Sequence, residues 1–289
     1  MASNGRYEID VEDVEYLRHK DKPLLARIFK PRGKGPFPAI VELHGGAWCM
    51  SDRLADTVIN EPLAKSGVVV AALDFRMPPD APYPASMADI NYGVRWLKAH
   101  AEQFGCGPNM VGIGGNSSGG HQAVLHGMRP RDSRYSAIPL PAGAPSVDAT
   151  VRCVIACSPV ISPIGRYEYA RKIKEGGKPY PEFVDTVMPL HDKYWQTEAA
   201  MAEGSPVIAL ERGERSELPP TLYVQSEHDI VHPRADLDRF VAGYRKAGGK
   251  VDLALFEGPK SGFIMGDPST PAAQQAIEKI ISFVHEQIR

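Results

Sequence analysis

The sequence has no stretch of about 18 consecutive apolar residues, so no transmembrane helix is predicted. Its first ten residues, MASNGRYEID, contain no apolar segment preceded by positive charge, and they do not resemble a secretory signal peptide. Cysteine is scarce and shows neither CxxC spacing nor a paired histidine pattern, which argues against structural zinc. A reduced cytoplasmic protein without disulfides is expected. The four cysteines are Cys49, Cys106, Cys153 and Cys157.

The sequence also lacks a strong charge of either sign. It has 33 Lys and Arg against 35 Asp and Glu, and no basic stripe or charge block that would favour nucleic acid or an anionic membrane. The expected partner is therefore a small-molecule substrate, with no nucleic acid and no membrane. No metal or organic cofactor is implied. Whether the chain forms a homodimer is left open by the sequence.

Apolar strand patterns alternate with helical ones along the 289 residues, which predicts a mostly parallel sheet with helices on both faces. We expect one domain spanning 1–289, with a cap inserted at about 160–205, where the sequence becomes rich in Tyr, Lys and Pro. Predicted strands are 8–18 and 23–30, forming a hairpin, then 38–43, 68–73, 109–113, 151–157, 221–225 and 251–256. Predicted helices begin near Ser86, with Asp89 completing a capping box, at Ser117, and at Thr270, with Pro271 in the first turn.

The strongest chemical signal is G-N-S-S-G at residues 115–119, a G-x-S-x-G pattern between a predicted strand and a predicted helix. Glycines are needed at both ends because the turn is too tight for a side chain there. Such a turn projects the Ser117 hydroxyl out of the sheet as a nucleophile. A glycine-rich phosphate loop is the alternative, but no P-loop lysine follows.

A second motif, H-G-G-A-W at residues 44–48, follows the strand 38–43. Glycines here let the backbone approach a bound acyl group. The N–H groups of Gly45 and Gly46 would then form an oxyanion hole with the N–H of Ser118. A plain glycine turn is the alternative for this motif alone. The two motifs, in this order on successive strands, together indicate acyl chemistry.

With these motifs, the chain resembles the hormone-sensitive-lipase-like branch of the α/β-hydrolases, bacterial esterases with an HGG motif. The similarity runs from about residue 25 to the end and includes D-F-R-M-P-P at 74–79, Y-P-A at 83–85 and S-E-H-D at 226–229. The resemblance implies an α/β-hydrolase fold and makes Asp229 the triad aspartate. H-G-G-A-W and His121 also resemble kynurenine-formamidase-like relatives.

One departure from the family affects the expected chemistry. Where the family carries its histidine in a His-Gly-Phe motif, this sequence reads K-S-G-F at 260–263, so that Ser261 fills the position of the usual base. Asn116 also stands where relatives usually have aspartate. Without a base, a serine hydroxyl is a weak nucleophile, and loss of the histidine from a triad costs about 10⁶-fold in kcat. Lys260 could act as base only with a lowered pKa.

Other histidines are candidates for the missing base. His121 is expected to be a structural hydrogen-bonding residue beneath the nucleophile, and His44 is expected to shape the oxyanion loop. His228 and His232 flank Asp229, and either could reach Ser117, although surface positions are the simpler expectation. His191 could overhang the pocket from the cap. The remaining four lie on peripheral segments: His19, His100, His126 and His285.

Three explanations remain open from the sequence. The protein is a serine hydrolase with a substitute base, a scaffold repurposed for lyase or isomerase chemistry, or a non-catalytic binding protein; an engineered residue at 261 is also compatible. We predict a carboxylic ester hydrolase with an atypical triad containing Ser117, Asp229 and Ser261. Candidate walls of the substrate pocket are Trp48, Tyr83 and Trp195.

Overall fold

The computed structural model describes residues 7–259 and 262–288. The strands are β1 (Ile9–His19), β2 (Lys22–Pro31), β3 (Phe37–Leu43), β4 (Val69–Leu73), β5 (Cys106–Asn116), β6 (Val154–Cys157), β7 (Thr221–Ser226) and β8 (Val251–Phe256). Within the described residues these eight strands form one sheet in the order β1-β2-β4-β3-β5-β6-β7-β8. The strands from β4 to β8 in this order are parallel to one another, whereas β1 and β2 form an antiparallel hairpin at one edge, and β2 is also antiparallel to β4.

Helices connect the strands and cover both faces of the sheet. The helices are α1 (Thr57–Lys65), α2 (Ala85–Ala99), α3 (Ala101–Phe104), α4 (Ser118–Met128), α5 (Pro163–Glu175), α6 (Phe183–Trp195), α7 (Glu198–Glu203), α8 (Pro206–Glu211), α9 (Arg234–Lys246), α10 (Phe263–Gly266) and α11 (Pro271–Gln287). Helices α1 and α11 pack against one face of the sheet, and helices α2, α4 and α9 pack against the other.

The burial of the strands follows from this layering. Every residue of β4, β6 and β7 is buried, because each of these parallel strands has helices on both sides. The first strand of the edge hairpin, β1, is instead largely exposed, and only its Tyr16 is buried, because the strand lies at the edge of the sheet. The predicted mostly parallel sheet and opening hairpin are confirmed, and so is the Thr270 cap of α11, whose hydroxyl accepts from the Ala273 N–H.

The predicted capping box at the start of α2 is wrong. The helix begins one residue earlier, at Ala85, and has no side-chain cap. The Ser86 hydroxyl lies 2.6 Å from the Tyr194 hydroxyl, and the Asp89 carboxylate binds the Arg76 guanidinium at 2.8 Å. Both side chains are completely buried, and their tertiary partners replace the local capping bonds that the spacing suggested.

The loops that follow β3, β5 and β7 meet at one edge of the sheet, because all three strands are parallel and end there. These loops carry the three segments singled out by the sequence: H-G-G-A-W, the serine turn and the Asp229 loop. Helices α5 to α8, which lie between β6 and β7 in the chain, include the region predicted as a cap. Ligands of parallel α/β sheets bind at this edge.

Candidate functional site

Ser117 occupies a sharp turn between β5 and α4. Its backbone has φ 52° and ψ −115°, a left-handed conformation that a non-glycine residue adopts only where the surroundings hold it. A Cβ at Gly119 would overlap the carbonyl oxygens of Leu43 and His44, so the helix can cross β3 this closely only with glycine. The turn therefore leaves the Ser117 side chain partly exposed at the edge of the sheet.

Asp229 lies on the loop after β7, and its side chain is buried. Its Oδ1 accepts hydrogen bonds from the backbone N–H groups of Val231 at 2.8 Å and His232 at 3.0 Å. An aspartate that binds the backbone two and three residues ahead bends the chain back toward its own carboxylate. This local turn brings the side chain of His232 next to the carboxylate on which it depends.

His232 connects the carboxylate to the serine. Its Nδ1 lies 2.9 Å from Asp229 Oδ2, and its Nε2 lies 3.3 Å from Ser117 Oγ. Because a carboxylate can only accept, Nδ1 carries the proton and Nε2 presents its lone pair to the serine hydroxyl. The separation of 3.3 Å is at the long end for such a bond, as is common when no substrate is bound.

The environment of the carboxylate favours its ionised form. Burial alone would raise the pKa of Asp229, but the charge and hydrogen bonds of His232 and the N–H of Val231 outweigh it and lower that pKa below its ordinary value. Gln225 Nε2 also donates to the His232 carbonyl at 3.1 Å, which anchors the loop to β7. The carboxylate thus stays charged at neutral pH and holds the imidazole in one orientation.

The glycine loop after β3 lies directly beside the nucleophile. A Cβ at Gly45 would be 3.2 Å from the Asn116 carbonyl oxygen and 3.4 Å from Ser117 Cβ. Gly46 has φ +105°, and its carbonyl accepts from the N–H groups of Cys49 and Met50, which closes the turn. Within the described part of the chain, the N–H groups of Gly45, Gly46 and Ser118 donate to no protein acceptor. Three donors are therefore left for a ligand.

Two other histidines near the serine have ring nitrogens hydrogen-bonded within the fold. His121 Nε2 lies 2.8 Å from the Gly204 carbonyl, and its Nδ1 accepts from Trp48 Nε1 at 3.2 Å. His44 Nδ1 donates to the Gly45 carbonyl at 2.7 Å. Burial lowers the pKa of both imidazoles, that of His121 to about 4. Both therefore shape the glycine loop as neutral rings, and neither imidazole is hydrogen-bonded to the Ser117 hydroxyl.

The three predicted pocket-wall residues lie close together. Tyr83 and Trp195 have ring centroids 4.6 Å apart, and Trp48 lies 5.3 Å from Trp195. Trp48 and Trp195 are almost fully buried, while Tyr83 is partly exposed and its hydroxyl bonds to Glu203 at 2.6 Å. The cluster joins the glycine loop to helices α6 and α7. Its contact with a substrate stays a prediction.

The position of Ser261 lies outside the described residues, and so does that of Lys260. Their predicted relation to Ser117 stays a prediction. The expectation of two surface histidines on the Asp229 loop is correct for His228, which is exposed, and wrong for His232, which is 6% exposed. The D-x-x-H spacing was the signal in the sequence: an aspartate turn folds the third residue back onto the carboxylate.

Known structures resemble this arrangement over nearly the whole chain. An esterase of Pyrobaculum calidifontis superposes with a TM-score of 0.75 at 22% identity, covering 96% of this chain and 85% of its own. The esterase Est2 of Thermogutta terrifontis gives a TM-score of 0.73 at 25% identity, covering 96% and 92%. The protein has the α/β-hydrolase fold. Within residues 7–259 and 262–288, no helix is long and apolar enough to cross a membrane.

The family is shown by a match between residues 27–236 and the BD-FAE family model, and the chain belongs to the BD-FAE family. That match includes Ser117, Asp229 and His232 and ends before Ser261. Esterase LipC of Mycobacterium tuberculosis is 27% identical over 257 residues, 86% of this chain and 59% of LipC. Carboxylic ester hydrolase LipN of the same organism is 33% identical over 119 residues, 40% of this chain and 32% of LipN. The chain spans less than two thirds of either relative.

Proposed function

We propose that this protein hydrolyses a carboxylic ester or a related acyl bond of a small-to-medium substrate. The observation that carries the proposal is the continuous hydrogen-bonded series from Ser117 through His232 to Asp229, with separations of 3.3 and 2.9 Å. The names of the relatives support it, because LipC and the Thermogutta terrifontis structure are both described as esterases.

In the proposed reaction, Ser117 Oγ attacks the acyl carbon while its proton passes to His232 Nε2. The imidazolium that forms is stabilised by Asp229, which is already ionised and hydrogen-bonded to Nδ1. The proton then moves from Nε2 to the leaving group as the acyl-serine forms. In the second half, His232 takes a proton from water, which attacks the acyl-serine, and the imidazolium then returns this proton to Ser117 Oγ as the carboxylic acid leaves.

The negative charge that develops on the acyl oxygen needs donors that are already in place. We assign this role to the N–H groups of Gly45, Gly46 and Ser118, which have no other acceptor within residues 7–259 and 262–288. Removal of a single oxyanion-hole donor from a serine hydrolase costs about 3–4 kcal/mol of transition-state stabilisation. Helices α5 to α8 would act as the cap over the bound substrate, and no metal or organic cofactor is invoked.

With His232 assigned as the base, the missing histidine at position 261 no longer argues for the two alternative functions. Lyase, isomerase and binding-only roles were open because the usual histidine position holds Ser261. With His232 beside the nucleophile, ordinary serine hydrolysis needs no further group. Ser261 receives no part in proton transfer under this proposal.

The proposal is tested with 4-nitrophenyl acetate and the purified full chain, with Ser117→Ala as the control. We expect turnover by the parent and its loss in Ser117→Ala. A burst of 4-nitrophenol equal to the enzyme concentration, and an acyl adduct on Ser117 detected by mass spectrometry, would accompany it. A folded parent that neither hydrolyses activated esters nor forms the adduct contradicts the proposal.

A further inference from the structure

Two residues of the loop after β3 have backbone angles that residues with side chains rarely adopt. Ala47 has φ 48° and Trp48 has φ 61°, both in the left-handed region that favours glycine. Such residues persist only where the surrounding structure holds them. They come directly after Gly45 and Gly46, whose N–H groups are the proposed oxyanion donors. The contacts that hold Ala47 and Trp48 therefore also fix the direction of these donors.

The side chain of Trp48 anchors this part of the loop. It is 1% exposed and is stacked on Tyr194, with ring centroids 5.5 Å apart and an angle of 10° between the planes. Stacked rings can be offset in several ways, so this contact alone leaves the position of the indole loosely defined. The Nε1–H of Trp48 is more selective, because it donates to His121 Nδ1 at 3.2 Å and a hydrogen bond restricts both distance and direction. His121 therefore provides the polar contact that sets the position of Trp48.

His121 is itself held from two sides. Its backbone N–H donates to the Ser117 carbonyl at 3.0 Å in the first turn of α4, and its ring is completely buried. The ring Nε2 donates to the carbonyl of Gly204, at the end of α7, at 2.8 Å. Because a carbonyl can only accept, Nε2 carries the proton, and Nδ1 keeps the lone pair that accepts from Trp48. The end of α7 thus selects the tautomer on which the contact with Trp48 depends.

Two features keep the His121 ring oriented and neutral. A Cβ at Gly204 would lie 2.3 Å from the Trp195 ring, so the Gly204 carbonyl reaches His121 past that ring only with glycine. Burial, which the charges of Arg166 and Arg129 reinforce, lowers the pKa of His121 to about 4. The ring is therefore neutral at the pH of ordinary ester assays, and its Nδ1 remains an acceptor.

We propose that His121 is a positioning residue for the hydrolytic reaction. By accepting from Trp48 Nε1–H, it holds the strained loop so that the N–H groups of Gly45 and Gly46 point toward the acyl oxygen. The inference rests on the proposed hydrolysis, because it concerns the same oxyanion hole. His121 is not bonded to the Ser117 hydroxyl and acts only through Trp48. Because the negative charge on the acyl oxygen develops in the transition state, loss of this contact should lower kcat and leave KM nearly unchanged.

Two replacements of His121 that have the same shape separate this contact from packing. In His121→Asn the amide oxygen stands one bond beyond Cγ, as Nδ1 does, and can accept from Trp48. In His121→Leu a methyl group stands there instead. Both variants lose the hydrogen bond to Gly204 and a similar side-chain volume, so the difference between them reports the contact with Trp48 alone. Thermal unfolding checks that each variant is folded.

The readout is the hydrolysis of 4-nitrophenyl acetate by the full chain. We expect kcat of His121→Leu to fall by about ten- to a hundredfold, since a displacement of about 1 Å in a positioned group can cost that much. His121→Asn should retain most of the parent's kcat, and KM should change little in both variants. Equal kcat values in the two variants, or a loss that is confined to KM, make His121 a structural residue and overturn the proposal.

Trp48→Phe removes the same hydrogen bond from the donor's side. A phenyl ring can still stack on Tyr194, so the variant keeps part of the packing. We expect kcat to fall as in His121→Leu, and the double variant to lose no more than either single one, because both changes remove one contact. Parent-level turnover by a folded Trp48→Phe, or losses that add in the double variant, overturn the proposal.

Hydrogen exchange keeps this inference separate from the hydrolytic proposal. The N–H groups of Cys49 and Met50 both donate to the Gly46 carbonyl, so their exchange rates report whether the loop is held. Mass spectrometry of the peptide 44–51 should show faster exchange in His121→Leu than in His121→Asn or the parent. If no ester is hydrolysed but this difference appears, the hydrolytic proposal fails and the positioning of the loop stands. If the parent hydrolyses esters and both variants match it in kcat and in exchange, the positioning fails and the hydrolytic proposal stands.

Discussion

His232 lies three residues after Asp229 on one loop, and its Nδ1 is 2.9 Å from the Asp229 carboxylate. The proposed base and its carboxylate are therefore positioned by a single turn, since Asp229 Oδ1 also accepts the N–H of His232 at 3.0 Å. In the pattern that the hormone-sensitive-lipase-like resemblance implies, the histidine would come from a separate loop near residue 261. The proposed proton acceptor and its orienting group are thus local in sequence, and only Ser117 is distant.

Asp229→Asn should lower kcat by about 10⁴-fold, the cost of the wrong imidazole tautomer in a serine triad. The two backbone N–H groups that bind Oδ1 would hold the amide oxygen at that position. The amide NH₂ would then face His232 Nδ1 and force the proton onto Nε2, which could no longer accept from Ser117. Steady-state kinetics measure the loss, and KM should change little. A loss below tenfold would contradict the assigned role of Asp229.

The two glycines of the oxyanion loop should respond differently to alanine. At Gly46, with φ +105°, a Cβ would overlap the Met50 carbonyl, so Gly46→Ala should reduce the free energy of unfolding by about 3 kcal/mol or more. At Gly45 the added methyl would lie 3.2 Å from the Asn116 carbonyl oxygen and 3.4 Å from Ser117 Cβ, which are tight contacts without overlap. Gly45→Ala should therefore lower kcat with little change in stability. Denaturant unfolding and ester kinetics on both variants separate the effects; equal losses of stability would contradict this assignment.

A buried acidic pair, Glu42 on β3 and Asp56 before α1, predicts how stability depends on pH. Burial, and then the charge of Asp56, raises the pKa of Glu42 well above its ordinary value of 4.5. The folded protein keeps a proton that the unfolded chain releases, so this group favours folding least at high pH. Glu42→Gln removes the cost of ionising residue 42 in the folded protein, and its amide oxygen can still accept the hydrogen bond from Asn60.

The free energy of unfolding that Glu42→Gln gains over the parent should therefore grow as the pH rises above the pKa of Glu42 in the unfolded chain. Thermal unfolding from pH 5 to pH 9 measures it, with the exposed Glu12→Gln as the matched control. The difference in melting temperature between Glu12→Gln and the parent should not rise with pH. If the corresponding difference for Glu42→Gln instead shrinks as the pH rises, Glu42 is ionised in the folded protein.

Ser261→His tests the position at which the family resemblance would place a histidine. Because His232 already accepts from Ser117 at 3.3 Å, a second imidazole has no proton to take, and we expect no gain in kcat. Ester kinetics beside Ser261→Ala measure this. A large gain specific to histidine would show that the parent lacks a working base.

The sheet and two of the three reactive segments could be predicted from the sequence because their signals are local. Apolar runs of strand length mark β4 and β7, and G-x-S-x-G requires the turn that carries Ser117. The prediction that Asp229 is the triad aspartate came instead from the family resemblance. The capping of α2 was missed because Ser86 and Asp89 have distant partners, Tyr194 and Arg76, which no local pattern reveals.

The role of His232 was less predictable for a different reason. A histidine on a polar loop is most often exposed, and His228 fits that rule. The distinction between the two residues depends on the aspartate turn, which buries the third residue after Asp229 and leaves the one before it outside.

The central claim is that His232 is the base, and comparison of His232→Ala with His228→Ala tests it most directly. Both histidines lie on one loop, but only His232 contacts Ser117. With 4-nitrophenyl acetate, we expect kcat to fall by about 10⁴- to 10⁶-fold in His232→Ala and to stay at the parent level in His228→Ala. A folded His232→Ala that retains activity within tenfold of the parent would contradict the account.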